Sequence, residues 1–200
     1  MAKSAAGRTR LDRDAWIAAA GRALGDGGLA AISIDPLAKR LGATRGSFYW
    51  HFRSREDLII AALERWEQVS TVDVIAAMEQ ITDPAERLTG LLRHVLQHPE
   101  GADIEISLLA SARDPIVAPV LRRATERRIG YVEQLYRELG CSRAEARDRA
   151  LLAYTAHVGL LEAEWATGGG LLPDGRTRRR YLSFLSELMR PPYVDAVDGR

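Results

Sequence analysis

Residues 41–58 read Leu41-Gly42-Ala43-Thr44-Arg45-Gly46-Ser47-Phe48-Tyr49-Trp50-His51-Phe52-Arg53-Ser54-Arg55-Glu56-Asp57-Leu58. Gly42-Ala43 breaks a helix, because glycine readily takes the left-handed conformation that ends one. Thr44 then caps a short helix running to about Trp50. Ser54, followed by Glu56 and Asp57, opens another with acids in its first turn. Upstream, Ser33 caps a helix to about Leu41, and Pro36 is tolerated because it lies in the first turn, where no intrahelical donor is lost. Two short helices separated by a three-residue Gly-containing turn form a helix-turn-helix. Ala38 supplies the small side chain where the two cross, and Leu37, Leu41 and Phe48 supply the shared apolar contact.

Working outward, helical spacing continues almost everywhere and no convincing period-two strand interrupts it. A first helix is predicted from Asp12 to Leu24, with Trp16, Ile17, Ala20 and Leu24 on one stripe and Gly25-Asp26-Gly27-Gly28 stopping it. The helix after Ser54 carries Leu58, Ala62, Trp66 and Val69 and is expected to run on as far as Ile81. Asp83-Pro84-Ala85-Glu86 and Ser142-Arg143-Ala144-Glu145 are capping boxes opening helices to about Gln97 and Trp165. Between them lie a helix near 103–112 and, after a turn bracketed by Asp114-Pro115 and Pro119, a long amphipathic helix ending at Leu139-Gly140. A last helix runs from about Arg176 to Met189 before Pro191-Pro192. The expected fold is all-α with about nine helices. It divides into a flexible basic arm (1–10), a helix-turn-helix domain (11–55, extending into the next helix to about 70), a helical ligand-binding and dimerisation domain (56–190) and a tail (191–200).

The 200-residue chain has a net charge of only +1, but the charge is unevenly spread. Residues 1–55 hold ten Lys/Arg against four Asp, a net of +6, while the other 145 hold 18 basic and 23 acidic residues, a net of −5. A basic head on an acidic body suits a phosphate-bearing partner. The single cysteine, Cys141, permits no internal disulfide and is expected to pack beside Gly140 rather than do redox chemistry. No signal peptide and no span of the ~20 apolar residues needed to cross a bilayer are found, so a cytoplasmic chain without a membrane partner is expected. The four histidines form no HExxH pair, and P-loop, GxSxG and cysteine-histidine zinc spacings are missing. No catalytic residues, metal or cofactor are expected.

The outward side of the short helix at 44–50 is suited to reading DNA. Thr44, Arg45, Gly46 and Ser47 occupy its N-terminus, the end that enters a major groove. Arg45 can donate twice to guanine O6 and N7, Thr44 or Ser47 can reach a base edge or phosphate, and Gly46 allows close backbone approach. Tyr49 and His51 offer an O–H and a ring N–H to phosphates, and Trp50 can pack on sugar or a thymine methyl. Arg55 adds charge at a helix start that already favours an anion. Ser33 is first a cap and second a phosphate contact. Phe48 and Phe52 are assigned to the supporting core.

This segment, LGATRGSFYWHFRSREDL, resembles the best-marked part of the tetracycline-repressor (TetR) family, and the likeness is close over residues 11–60. Phe48 stands where Leu is more usual and Arg55 where Lys is, and Asp35-Pro36 is unusual early in its helix; a carboxylate there would repel a phosphate. The resemblance implies a homodimer that blocks transcription at operator DNA until a small-molecule effector binds in the C-terminal body. By that match Arg45, Ser47, Tyr49, Trp50, His51 and Arg55 fall on positions that contact DNA.

In the body, the helix from Ser142 is apolar nearly all round between Leu151 and Leu161, so it must be covered on both sides. One side is expected to face its own core and the other a twofold-related copy, through Leu152, Gly159, Tyr181, Phe184, Leu185 and Leu188. Trp66, His94, Tyr131, Tyr154 and His157 pair apolar surface with a polar tip and are the candidate pocket lining, although single His or Tyr side chains in helical bundles are more often satisfied core or surface groups. The basic run Arg176, Arg178, Arg179, Arg180 is expected to be solvated or paired with acids across the dimer. An activator or an effector-independent helix-turn-helix protein is the alternative reading, and an enzyme a more distant one.

Overall fold

The computed structural model describes residues 12–97 and 101–191. Its elements are α1 (Arg13–Ala31), α2 (Ile34–Leu41), α3 (Arg45–Tyr49), α4 (Arg55–Glu67), a π-helical turn (Gln68–Val72), α5 (Asp73–Glu79), α6 (Pro84–Gln97), α7 (Ala102–Ala110), α8 (Val117–Glu138), α9 (Arg143–Ala166) and α10 (Gly175–Met189). The expected all-α architecture is found. Residues 55–79 are helical throughout, so nine helices result among the described residues when that segment is taken as one. The expected arm at 1–10 and the tail beyond Pro191 lie outside the described residues.

Local chemistry explains most of the boundaries. Asp12 accepts from the Ala15 amide at 2.9 Å and Thr44 from the Ser47 amide at 3.2 Å. Ser54 accepts from the Asp57 amide at 3.2 Å, while the Asp57 carboxylate reaches back to the Arg53 amide at 3.0 Å. Asp83, Ser142 and Asp174 cap α6, α9 and α10 in the same way, each satisfying donors that have no partner within the helix. Gly42 ends α2 at φ +64°, with its amide turned back to the carbonyl of Lys39.

Three boundaries depart from expectation. α1 does not stop at Leu24: the helix runs through Gly25, which faces Ile104 of α7, and the break falls at Gly27 and Gly28. α8 begins at Val117, so Pro119 lies inside its first turn, where the missing N–H costs nothing. The segment after Ser54 does carry on past Val69, but through one π-helical turn that shifts the buried face before α5.

Two apolar clusters organise the molecule. The first joins Trp16, Leu24, Leu37, Phe48, Phe52, Leu58 and Leu63 to Leu108 of α7 and to Val117, Val120, Leu121 and Ala124 of α8. The head is therefore seated on the body through a shared core. The second packs Leu88, Ile129, Val132, Leu135 and Tyr136 against Ala146 and Ala150, where α9 runs back along α8. A smaller cluster around Leu185 and Met189 holds α10 to α6 and α9. Cys141 is buried in the second cluster, and burial pushes its thiol pKa up, which suits a packing role.

Candidate functional site

In the head, α3 is a single turn and a half supported from behind. Phe48 is fully buried; it meets Trp16 edge-on at 5.3 Å and stacks on Phe52 at 5.5 Å between ring centroids. This support leaves Thr44, Arg45, Gly46, Tyr49 and Trp50 on the outside, with Ser47 and His51 half-buried beside them. Trp50 is 81 % exposed and Tyr49 51 % exposed. Gly46 carries no Cβ and has open space in front of it, with Thr44 Oγ1 the nearest atom to a built Cβ at 3.7 Å.

Arg45 is oriented by two neighbours. Tyr49 hydrogen-bonds its side chain and Asp35 of α2 lies 3.5 Å from Nη1; in that order they raise the guanidinium pKa further above its ordinary value. Asp35 therefore acts as an internal partner for Arg45. The pair is exposed on both sides and so adds little stability. Its effect is to hold the fork at the N-terminus of α3.

The cap expected of Ser33 and the phosphate contact expected of Arg55 need correction. Ser33 occupies the position before α2 with extended backbone, but its side chain makes no capping bond and is exposed. Arg55 points inward: Nε donates to the Ile32 carbonyl at 2.5 Å and Nη2 donates to the Leu29 carbonyl. Those acceptors lie just past the Gly27–Gly28 kink, where the Leu29 carbonyl also takes the Ile32 amide at 3.3 Å. Arg55 thus closes the corner between α1 and α2, which leaves it few donors for a phosphate.

In the body, a cavity of about 280 Å³ opens between the π turn, α5, α6, α7, α8 and α9. His94, Tyr131, Tyr154 and His157 all line it. Trp66 does not: it is buried in the first core, beneath Arg128, whose guanidinium lies 5.3 Å from its ring centroid. The lining also holds a polar cluster that sequence reading missed. Arg128 donates to Thr71 Oγ1 at 2.9 Å, to Glu105 Oε1 at 2.6 Å and to Ser70 Oγ at 3.1 Å. His157 Nε2 lies 3.7 Å from Glu105 Oε1. Burial alone would raise the Glu105 pKa, but His157 and Arg128 outweigh it and hold the carboxyl down at about 2. His157 Nδ1 is buried without a hydrogen-bond partner among the described residues. The residues of this cluster converge from separate elements, so no local spacing announced them.

Residues 17–62 match the family model described as bacterial regulatory proteins, tetR family. The HTH-type transcriptional regulator LmrA of Bacillus subtilis is 28% identical over 144 residues, covering 68% of this chain and 77% of the relative. BetI of Rhizobium meliloti is 31% identical over 87 residues, 44% of this chain and 43% of that protein. A TetR transcriptional regulator from Legionella pneumophila superposes with a TM-score of 0.74 at 14% identity, covering 90% of this chain and 98% of the other. A transcriptional regulator from Saccharomonospora viridis, solved in complex with choline, gives 0.70 at 20% identity, covering 88% and 95%. Residues 17–62 thus match the tetR-family domain, and the chain as a whole shares the fold of these solved regulators.

The segment matched by the family model ends within α4, and the greater part of the body lies beyond it. In the body the outer face of α9 and α10 is strongly apolar. Leu152 is 54 %, Phe184 57 % and Leu188 56 % exposed, and a Cβ on Gly159 would meet nothing within 4 Å. Leu185 does not belong to that face: it is 8 % exposed and packs against Leu92 and Leu160 of its own chain. Tyr181 is half-buried on the edge of the same cluster. Arg178 pairs with Glu164 of the same chain at 3.2 Å, so this part of the basic run is not reserved for a partner. Among the described residues no helix is long and apolar enough to cross a membrane.

Proposed function

We propose that this regulator is a homodimeric repressor that is released from its operator when a small molecule enters the cavity of the body. The head (11–55, continuing to about 70) reads double-stranded DNA and the remainder to residue 190 binds the effector and dimerises. Arg45 and Ser47 take base edges, Gly46 admits the backbone, and Ser33, Thr44, Tyr49 and His51 take phosphates, with Trp50 on sugar or methyl. One short recognition helix reads too few base pairs for useful specificity, which favours a pair of heads. The exposed face of α9 and α10, through Leu152, Gly159, Phe184 and Leu188, is the surface that would bring two copies together.

The observation that carries this reading is the placement of Arg128. From α8 it grips both the π turn at the root of α4 and Glu105 on α7. α4 enters the head directly, and α7 packs on α1 of the head around Gly25. A molecule that shifts this cluster therefore acts on two of the supports of the head. Coupling of this kind is reciprocal, so DNA weakens the effector by the factor by which the effector weakens DNA. A related fold that holds choline supports the capacity of such a body for a small ligand.

Two assays test the reading. In mobility shifts on the chain's own upstream region, Arg45→Ala and Tyr49→Phe should lose affinity while sedimentation still reports a dimer; unchanged affinity in both overturns the contact assignment. Thermal shift against a panel of metabolites and antibiotics should find a stabilising compound that also releases DNA. If no compound stabilises an intact dimer, the effector pocket is wrong and an effector-independent regulator is the better reading.

A further inference from the structure

The chemistry of the cavity wall restricts what can bind there; this step rests on its role as the effector pocket. The carboxylate and the guanidinium among its described lining residues are Glu105 and Arg128, and they neutralise each other at 2.6 Å. Each of the three Arg128 nitrogens already donates to Thr71, Glu105 or Ser70, so the guanidinium has little left for an incoming anion. Glu105 accepts from Arg128 and faces His157, so it is equally committed against a cation. A charged ligand would lose its hydration and find no free countercharge.

Beside this closed ion pair stands an open hydrogen-bonding group. His157 turns Nε2 toward Glu105 Oε1, and the carboxylate favours a proton on that nitrogen. With Nε2 facing the carboxylate, Nδ1 is the ring nitrogen left toward the cavity, and it is buried with no hydrogen-bond partner among the described residues. The rest of the wall is largely aliphatic, including Val74, Leu91 and Leu161. A cavity of about 150 Å³ holds benzene, so 280 Å³ has room for a ring with a short alkyl chain.

We propose that the effector is an uncharged, mainly apolar molecule of alkylphenol size whose hydroxyl donates to His157 Nδ1. The Tyr131 hydroxyl offers a second polar point in the same wall.

The test is isothermal titration of the full-length protein with four probes on one butylphenyl frame: 4-butylphenol, 4-butylanisole, 4-butylbenzoate and 4-butyl-N,N,N-trimethylanilinium. The phenol should bind most tightly, and the methyl ether, which lacks only the donor, about tenfold more weakly. The benzoate and the ammonium should bind more weakly still. In His157→Phe the phenol and the ether should become equal, with Glu105 still paired to Arg128. Tighter binding of either charged probe, or equal binding of phenol and ether to the wild-type protein, overturns the proposal. So does a failure of all four, while stabilisation by some unrelated compound in the thermal-shift panel would leave the pocket itself standing. The wild-type series decides the matter even if His157→Phe does not fold.

Discussion

Two arginines ten residues apart show how a residue's role depends on what its fork meets. Arg45 lies exposed at the N-terminus of α3 beside Tyr49 and Asp35, whereas Arg55 donates to the carbonyls of Ile32 and Leu29. Arg45→Ala should leave thermal stability unchanged and weaken operator binding roughly tenfold or more. Arg55→Ala should do the reverse, lowering stability by about 1–3 kcal/mol in urea unfolding, because two half-buried acceptors lose charge-assisted donors. The sequence placed both at helix starts, where either role is available; only the kink at Gly27–Gly28, which exposes those carbonyls, separates them. Glu105 gives a second residue-scale test. Its folded pKa of about 2 lies below the unfolded carboxylate value, so its contribution is fully present above about pH 4.5 and is lost as pH falls toward 2. Glu105→Gln should therefore cost on the order of 3 kcal/mol at neutral pH. The gap to wild type should close progressively in acid, with the Arg128 guanidinium and the His157 ring the groups that face the carboxylate; a pH-independent gap would contradict this.

At the scale of elements, caps were legible and kinks were not. Thr44, Ser54, Asp83 and Ser142 each cap the helix their sequence context announces, since a cap is a contact between residues two or three apart. The end of α1 was misplaced because Gly25 answers to α7, some eighty residues away, while the true break uses Gly28 at φ +66° and ψ −163°. That backbone region is essentially closed to other residues. Gly28→Ala should destabilise the protein by about 1–3 kcal/mol. Gly25→Ala, helical and with its new Cβ in ordinary contact, should be neutral or slightly stabilising. Chemical denaturation of the two variants checks the contrast. The π turn was equally invisible, because Gln68–Val72 carries no Pro or Gly to mark it. It matters nonetheless, since it presents Ser70 and Thr71 to Arg128.

For the whole molecule, the all-α architecture was readable from helical periodicity, and four of the five proposed lining residues do border one cavity. What sequence could not supply was which face of each body helix points outward. Leu185 and Leu188 lie three residues apart on α10, yet one packs on its own chain and the other is 56 % exposed. Leu152→Asp with Leu188→Glu should shift sedimentation from dimer to monomer while leaving helical circular dichroism intact. Leu185→Ala should instead lower the melting temperature, at a cost of about 2–5 kcal/mol, without itself separating the copies. The central claim is that two copies of α3 read DNA together. Its most direct test is a footprint of the full-length protein on the region upstream of its own coding sequence. The account predicts two protected half-sites whose centres lie about one helical turn or a multiple apart, both lost in Arg45→Ala. Protection of a single site, or a two-site footprint that survives Arg45→Ala unchanged, would contradict it.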